Sequence, residues 1–181
     1  MEKKIILYIA TSLDGFIAKK DGSIDFLNLG NKSGESSGEK SKDDYGYNEF
    51  YSSIGAIIMG NTTYKQVGDT KEFEEYYKDK PVFVFSRKPK AQKRNVIFVH
   101  EDVKEFVKKL KSDTWLVGGA SLLTEFLKDG LVDKFIITII PILLGEGIPL
   151  FKGDSKEKNL RLADVKSYDS GVVQLSYQTK V

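Results

Sequence analysis

Apolar residues along the chain form short clusters separated by polar or glycine-containing turns. Eight of these clusters are rich in β-branched or aromatic residues, which predicts strands. They cover residues 4–10, 55–59, 81–86, 95–99, 114–117, 132–140, 160–168 and 172–179. The first cluster is continuously apolar, as is typical of a strand buried on both faces. An irregular connection is expected to follow it over residues 11–22, where two Asp-Gly pairs indicate turns.

Four segments have the spacing of helices. The clearest covers residues 101–111, in which apolar side chains recur at i, i+3, i+4 and i+7 from Val103. The others cover residues 45–54, 64–67 and 120–128. Strands and helices alternate in the middle of the chain, which predicts parallel crossovers, and the last two strands predict an antiparallel hairpin. We therefore expect one α/β domain over residues 1–181, with a single mixed, mostly parallel eight-stranded sheet and flanking helices.

Composition narrows the possible chemistry. The chain has no cysteine, which excludes disulfides, thiolate metal sites and a cysteine nucleophile. Its single histidine, His100, excludes a metal site built from several imidazoles, and no metal is expected. A net charge of +2 is too small to indicate nucleic acid as the main partner. No apolar run approaches the ~18 residues of a membrane span, and the N-terminus does not resemble a signal peptide, so we expect a cytoplasmic protein.

Gly118-Gly119, between a predicted strand and a predicted helix, is the strongest local signal for a ligand. Glycine has no Cβ, so a ligand can approach the backbone closely there. The helix that follows offers free N–H groups and the positive end of its dipole, which suit a phosphate. The pair does not fit the G-x-G-x-x-G pattern of the ordinary dinucleotide fold. A tight strand-to-helix turn without a ligand is the alternative interpretation.

The same arrangement occurs one crossover earlier, where Met59-Gly60 ends a strand and Asn61-Thr62-Thr63 opens a helix. Ligands of open α/β sheets bind beyond the carboxyl ends of the strands, so both glycine turns are expected at one edge. The alternative is that Asn61 to Thr63 only cap the helix.

Ser86-Arg87-Lys88 follows a third strand, within a segment that is rich in lysine and arginine. Arginine at a strand's carboxyl end can bind a phosphate in a bidentate manner. A solvated basic surface is the alternative explanation of such a run.

Two aspartates are candidates for proton transfer. Asp14 directly follows the first strand, and Asp44 opens the aromatic-rich helix, next to Asp43. A half-buried carboxylate at the second position would have a raised pKa and could relay a proton. The alternative for each is a turn or helix-capping aspartate. Residues 31–44 contain no hydrophobic side chain and predict a surface loop, either an inert insertion or a lid. For His100, a structural or surface role is expected.

Five segments, in this order, resemble the dihydrofolate-reductase-like superfamily. The similarity is greatest to its bacterial branch related to the C-terminal reductase domain of riboflavin biosynthesis. The matching segments are residues 12–18 (SLDGFIA), 59–64 (MGNTTY), 85–87 (FSR), 116–122 (LVGGASL) and 139–151 (IIPILLGEGIPLF).

This resemblance implies NADPH as cofactor and hydride transfer to a C=N or C=O bond of a pteridine, pyrimidine or related heterocycle. Adenosine and pyrophosphate would lie at residues 60–63 and the 2′-phosphate at Ser86 and Arg87. Residues 118–122 would make further contacts with the pyrophosphate. Ala10 and the loop 14–17 would lie beside the nicotinamide. The implied cofactor residues are Ala10, Ile17, Gly60, Asn61, Thr62, Thr63, Ser86, Arg87, Lys88, Val117, Gly118, Gly119, Ala120, Ser121 and Leu122. In this family the Gly-Gly bond is often cis, and a homodimer through residues 135–140 and the closing segments is plausible.

Three departures from the family patterns bear on the ligands, one on the cofactor and two on the substrate. Asn61 stands where relatives commonly carry arginine, which leaves Arg87 and Lys88 to bind the 2′-phosphate. Residues 72–80 lack the Pro-Gly-Arg-like turn of folate enzymes, and residues 70–73 lack the Asp-Pro-x-Leu-Thr-like segment of riboflavin reductases. The sequence therefore predicts a reductase of an unidentified small heterocycle, carbonyl or imine. A protein of the same fold that binds or senses NADPH without turnover is the alternative.

Overall fold

The sheet of this protein is built around its first strand, whose apolar run is buried between helices on both faces. A computed structural model describes residues 3–27, 44–67, 73, 77, 79–88, 91, 95–153 and 157–179. Its strands are β1 (Ile5–Ser12), β2 (Phe16–Ala18), β3 (Ala56–Gly60), β4 (Val82–Phe85), β5 (Val96–Val99), β6 (Thr114–Gly118), β7 (Lys134–Ile140), β8 (Ile148–Pro149), β9 (Leu160–Ser167) and β10 (Val173–Thr179). Its helices are α1 (Tyr47–Ser53), α2 (Asn61–Val67), α3 (Val103–Lys109) and α4 (Ala120–Lys128), with a 3-10 turn at Asp25–Leu27.

Eight strands form one sheet in the order β5-β4-β3-β6-β1-β7-β10-β9. The pairs from β5 to β7 are parallel, and β10 runs antiparallel to both of its neighbours. The short strands β2 and β8 pair separately. The predicted mixed, mostly parallel sheet and its closing hairpin are thus confirmed.

Helices cover the two faces of this sheet. Leu123 and Phe126 of α4 and Phe106 of α3 pack on one face, in a cluster that includes Leu7 and Leu116. On the other face, the helices α1 and α2 bury Phe50 and Tyr64 against apolar side chains of β1, β3 and β6. None of the helices within the described ranges has the length and apolarity to cross a bilayer.

Several element ends differ from the sequence predictions. Strand β1 continues through Ser12, because β7 pairs with it as far as Ile140. The connection expected to be irregular contains β2. Helix α2 begins at Asn61, so residues 61–63 form its first turn rather than a cap that precedes it. Of the predicted loop 31–44, only Asp44 belongs to the described residues.

Candidate functional site

The two glycine turns predicted from the sequence lie side by side. Strand β3 leads through Gly60 into α2, and the parallel neighbouring strand β6 leads through Gly118 and Gly119 into α4. A Cβ atom placed on Gly60 would lie 3.8 Å from the Gly118 carbonyl oxygen. A Cβ on Gly119 would lie 3.3 Å from Oγ1 of Thr63, tighter than an ordinary contact. The expectation that these turns meet at one edge of the sheet is therefore confirmed.

The backbone at the second turn suits the close approach of a ligand. Gly118 has a φ of +107°, a conformation that residues with a side chain rarely adopt. The Gly118–Gly119 peptide bond is cis, as the resemblance implies. Gly119 precedes α4 and has no side chain that could accept hydrogen bonds from the first turn of the helix. The backbone N–H groups of that turn and the positive end of the helix dipole therefore face the two glycine turns. Val117 is half-buried, whereas Ala120 and Leu122 are buried.

A lysine from a distant part of the chain reaches the same helix start. Lys152, which follows β8, donates a hydrogen bond from Nζ to Oγ of Ser121 over 2.9 Å. Both side chains are exposed, so the ammonium group lies at the open side of the first turn of α4. The sequence analysis missed this residue, because nothing near it indicates that the segment folds back on α4.

The end of β4 brings the predicted basic residues to this edge as well. Phe85 lies opposite Gly60 in the parallel pair of β3 and β4. Ser86, the next residue, therefore leaves the sheet at the same edge as the turn at Gly60. The Ser86 hydroxyl donates to the Lys88 carbonyl oxygen over 2.8 Å, and Nδ1 of His100 lies 2.9 Å from the Ser86 carbonyl oxygen. Arg87 and Lys88 are exposed, and the expected structural role of His100 agrees with its contact to this turn.

Asp14 lies in the turn between β1 and β2, where it has a structural role. Its carboxylate accepts hydrogen bonds from Oγ of Ser12 (2.6 Å), the amide of Gly145 (2.7 Å) and the amide of Leu144 (3.1 Å). The Ser12 hydroxyl first, and the two amides with it, lower the pKa of the Asp14 carboxyl below its ordinary value. The side chain is therefore ionised at neutral pH and fastens this turn to the loop after β7. Ile17 follows in β2 and is half-buried.

For Asp44, the expectation of a half-buried carboxylate with a raised pKa is wrong. The side chain is exposed and accepts hydrogen bonds from the amides of Gly46 (2.9 Å) and Asn48 (3.0 Å) at the start of α1. The Asn48 amide first, and then that of Gly46, lower the pKa of the Asp44 carboxyl. The turn-aspartate interpretation agrees with this geometry. Asp43 lies outside the described residues.

Beside Ala10 the structure places a row of buried polar groups that the sequence analysis missed. Thr138 is opposite Ala10 in register, and Gln174 is opposite Thr138. Nε2 of Gln174 donates to Oγ1 of Thr138 (3.0 Å) and to the Tyr45 carbonyl oxygen (3.1 Å). The Tyr8 hydroxyl donates to the same carbonyl over 3.2 Å. These contacts give the sheet a fixed, fully hydrogen-bonded polar surface next to the predicted nicotinamide position.

Burial raises the pKa of the Tyr8 phenol, so its hydroxyl stays protonated at neutral pH and remains a donor. The aromatic side chains around it come from α1 and β6: Tyr8 stacks on Phe50 and meets Trp115 edge-on. Nε1 of Trp115 donates to the Tyr8 carbonyl oxygen over 2.9 Å. The single tryptophan is thereby fixed one strand away from Ala10 and three residues before Gly118.

Comparison with known proteins agrees with this geometry. The family model of the RibD C-terminal domain matches residues 3–174. The uncharacterized protein YwjB of Bacillus subtilis (strain 168) is 43% identical over 183 residues, with 98% of each chain covered. The crystal structure of a putative riboflavin biosynthesis protein from Shewanella sp. PV-4 is 27% identical, with a TM-score of 0.82 over 98% of this chain and 99% of that one.

A dihydrofolate reductase from Enterococcus faecalis, complexed with NADP(H) and RAB-propyl, superposes with a TM-score of 0.65 over 98% of this chain and 97% of that one. At 15% identity this likeness shows the fold alone. The fold, the order of the motifs and the matched family model lead to one conclusion: this chain belongs to the RibD C-terminal domain family and has the fold of dihydrofolate reductases.

Proposed function

We propose that this protein is an NADPH-dependent reductase that transfers a hydride to a C=N or C=O bond of a small heterocycle of the pteridine or pyrimidine class. The observation that carries the proposal is the convergence of two glycine turns, a helix N-terminus and exposed basic side chains at one edge of the sheet. Membership of a reductase family, and a shared fold with an NADP(H)-bound dihydrofolate reductase, support it.

The residues of the glycine turns suit a pyrophosphate. The first turn of α4 provides N–H donors, the Ser121 hydroxyl lies beside them, and Lys152 adds a positive charge. Gly119 leaves the approach open, since a side chain there would already press against Thr63. Dinucleotide phosphates would therefore be held by backbone donors and one exposed cation.

Discrimination between NADPH and NADH is assigned to the end of β4. Arg87 and Lys88 are exposed and adjacent to Ser86, which follows the strand neighbouring Gly60. A guanidinium matches the geometry of a phosphate better than other side chains do. Asn61, in the first turn of α2, contributes no charge, so these two cations would bear most of the preference for the 2′-phosphate.

Ala10 is assigned to the nicotinamide, and the polar row beside it keeps this part of the sheet in place. A methyl side chain leaves room for a flat ring over β1, and a bound NADPH supplies the hydride there. Tyr8, Thr138 and Gln174 hold one another in place, so the sheet beside that ring is rigid. A rigid sheet beside the ring keeps a bound nicotinamide in one orientation for hydride transfer.

Binding of NADPH without turnover is a second candidate, and one observation favours it. Asp14 and Asp44, the two carboxyl groups predicted as acids, both have lowered pKa values. A carboxylate that is ionised at neutral pH is a poor proton donor. A reductase with these residues would draw its proton from solvent, whereas a sensor would need none.

A titration with NADPH and NADH, followed by the fluorescence of Trp115 and of the cofactor, tests the binding part of the proposal. We expect tighter binding of NADPH than of NADH, and loss of binding in Gly119→Val. Gly153→Val is a matched control, because a Cβ there meets no atom of the described residues within 4 Å. Steady NADPH oxidation with pterin or pyrimidine acceptors would then establish the reductase. Binding without oxidation of any acceptor would favour the sensor, and binding of neither cofactor would overturn both functions.

A further inference from the structure

Helix α3 leaves part of the sheet beneath it uncovered. Phe106 of α3 packs on Phe83 and Phe85 of β4, with ring centroids 4.9 and 5.1 Å apart. The next strand, β5, is the edge of the sheet, and its residue Ile97 lies opposite Phe83 in register, so both side chains share one face. Ile97 is half-buried and belongs to none of the three apolar clusters of the described residues. Helix α3 therefore covers β4 but not Ile97 of the edge strand.

The space beside Ile97 is a cavity of about 710 Å³ between α3 and the outer strands of the sheet. We call it the α3 cavity. Its apolar lining includes Pro81, Phe83, Ile97, Phe106 and Leu110. Pockets that bind small molecules commonly have volumes of ~300–1,000 Å³ and mainly apolar walls with a few polar groups. The α3 cavity therefore has the size and the lining of a site for a small molecule.

The α3 cavity is separate from the proposed cofactor site. It extends toward Gly55 and Ser112, which precede β3 and β6 at the amino ends of the strands. The two glycine turns lie at the opposite, carboxyl ends, and neither they nor residues 86–88 line the cavity. The lining reaches the carboxyl end of β5 only at His100 and Glu101. A ligand in this cavity would therefore occupy a position different from those assigned to the pyrophosphate and the 2′-phosphate.

One lysine at the rim of the α3 cavity is not paired with an acid. Lys109, Lys111 and Glu101 line the cavity and are exposed. Lys109 forms an ion pair with Glu101, whereas Lys111 makes no hydrogen bond or ion pair with any of the described residues. Lys3 brings a further ammonium group close by, since its Nζ donates to the carbonyl oxygen of Leu110 over 2.6 Å. The rim therefore carries an excess of positive charge beside an apolar interior.

We propose that the α3 cavity binds a small molecule with a flat aromatic body and one anionic group, a carboxylate or a sulfonate. The rings of Phe83 and Phe106 would pack against the aromatic body, because aromatic rings favour edge-to-face and offset contacts. The ammonium group of Lys111 would donate to the anionic group at the rim. A cationic ligand would be repelled there, and an uncharged one would gain nothing from the lysine. The proposal does not depend on the proposed function.

Two dyes with the same rings test the site in the full chain. Anilinonaphthalene sulfonate is an aromatic anion whose fluorescence rises in apolar surroundings, and phenylnaphthylamine has the same rings without the sulfonate. We expect saturable binding of one sulfonate dye per chain. A natural chain that does not bind the sulfonate dye would overturn the proposal.

The variant Ile97→Glu tests where the dyes bind. It should weaken the binding of both dyes about tenfold or more, because a carboxylate replaces part of the apolar wall. Ile97 is half-buried on an edge strand, so the chain should still fold. Ile24→Glu is the matched control, since Ile24 is 47% exposed and does not line the cavity. Dye binding that is equally strong in Ile97→Glu and in the natural chain would overturn the assignment to the α3 cavity.

The variant Lys111→Glu tests the charge of the ligand. It should weaken the binding of the sulfonate dye roughly fivefold, the effect of reversing one exposed charge, and leave the binding of phenylnaphthylamine unchanged. Lys108→Glu is the control for charge at a distance, because Lys108 pairs with Glu105 and does not line the cavity. Equal effects of Lys111→Glu on the two dyes, or no effect on the sulfonate dye, would refute the anionic class of ligand.

Protection of a thiol provides a second test of the location. The chain has no cysteine, so Ser112→Cys carries one thiol, at a half-buried position in the lining of the α3 cavity. A saturating concentration of the sulfonate dye should slow the alkylation of this thiol by iodoacetamide. It should not change the rate for Lys108→Cys, which lies outside the lining. Equal rates with and without dye at position 112 would contradict the proposal even if Ile97→Glu failed to fold.

Discussion

The assignment of Arg87 to the 2′-phosphate can be tested by one substitution measured with two cofactors. Arg87 is exposed, and with the described residues it makes no hydrogen bond or ion pair that would be lost on truncation. Arg87→Ala should therefore leave the fold unchanged. Its effect on a dissociation constant should come from the ligand, because no hydrogen bond or ion pair with a described residue is removed.

The size of the effect follows from the chemistry of the contact. A hydrogen bond between a charged donor and a phosphate contributes about 1.5–3 kcal/mol. The exposure of Arg87 places the expected loss at the lower end of this range, since water screens charges at a surface. About 1.5 kcal/mol corresponds to a roughly tenfold weaker binding of NADPH. NADH has no 2′-phosphate, so its dissociation constant should hardly change.

Isothermal titration or Trp115 fluorescence measures both dissociation constants in the natural protein and the variant. Lys152→Ala is the informative comparison, because the pyrophosphate that Lys152 is proposed to bind is common to both cofactors. It should weaken NADPH and NADH equally. The NADPH preference should also shrink as salt is added, since the proposed contact is between exposed charges. Equal losses for both cofactors in Arg87→Ala would refute the assignment of the 2′-phosphate to the end of β4.

Three further substitutions test other parts of the site. Gly119→Val should weaken the binding of NADPH and NADH alike, by ~100-fold or more, because the valine side chain would fill the space beside Thr63 that the phosphates need. Unchanged dissociation constants would show that the turn has only a structural role. Gln174→Leu should lower the free energy of unfolding in urea by about 1–3 kcal/mol, because it removes the donor to the buried Thr138 hydroxyl and to the half-buried Tyr45 carbonyl oxygen. Gln178→Leu at the sheet surface should cost less than about 0.5 kcal/mol, and equal costs for the two variants would contradict the polar row. Two amides lower the pKa of Asp44 in the folded protein below its value in the unfolded chain. The ionised carboxylate therefore stabilises the fold at any pH above the unfolded pKa, and this contribution is lost as the pH falls through the lower pKa of the folded state. Asp44→Asn should therefore leave the pH–rate profile unchanged between about pH 5 and 8, and loss of an acid limb in that range would restore Asp44 as the proton donor.

The sequence predicted the eight strands of the main sheet, the helix α4 and the position of the glycine turns, but not the short strands β2 and β8. Strand β6 and helix α4 were predicted closely because their signals are local: a short apolar run, two glycines and an amphipathic helical pattern. Parallel neighbours then bring Gly60 and Gly118 to one edge of the sheet, since their strands end in the same direction. For the two glycine turns, the local sequence pattern and the sheet topology therefore predict the same position.

The tertiary structure decided which side chains accompany those turns. Lys152 reaches Ser121 across 31 positions of the chain, and Gln174 reaches Tyr45 across 129. The spacing of apolar residues along the chain does not predict such contacts, because they depend on how loops fold back on the sheet. The pKa of Asp44 was mispredicted for the same reason: exposure and two amide donors, not its place in the sequence, set it.

The alternation along β10 shows most clearly where sequence patterns reach their limit. Val-Gln-Leu-Ser-Tyr at residues 173–177 predicts a strand with an apolar and a polar face, and the structure contains that strand. Alternation separates the two faces, but it does not determine which one is buried. That depends on what packs against each face, and here α4 stops short of one face while Tyr45 and its neighbours cover the other. The sequence by itself therefore determined the main strands and helices and their order, whereas the placement of covering elements decided which polar groups are buried and which apolar face is left open.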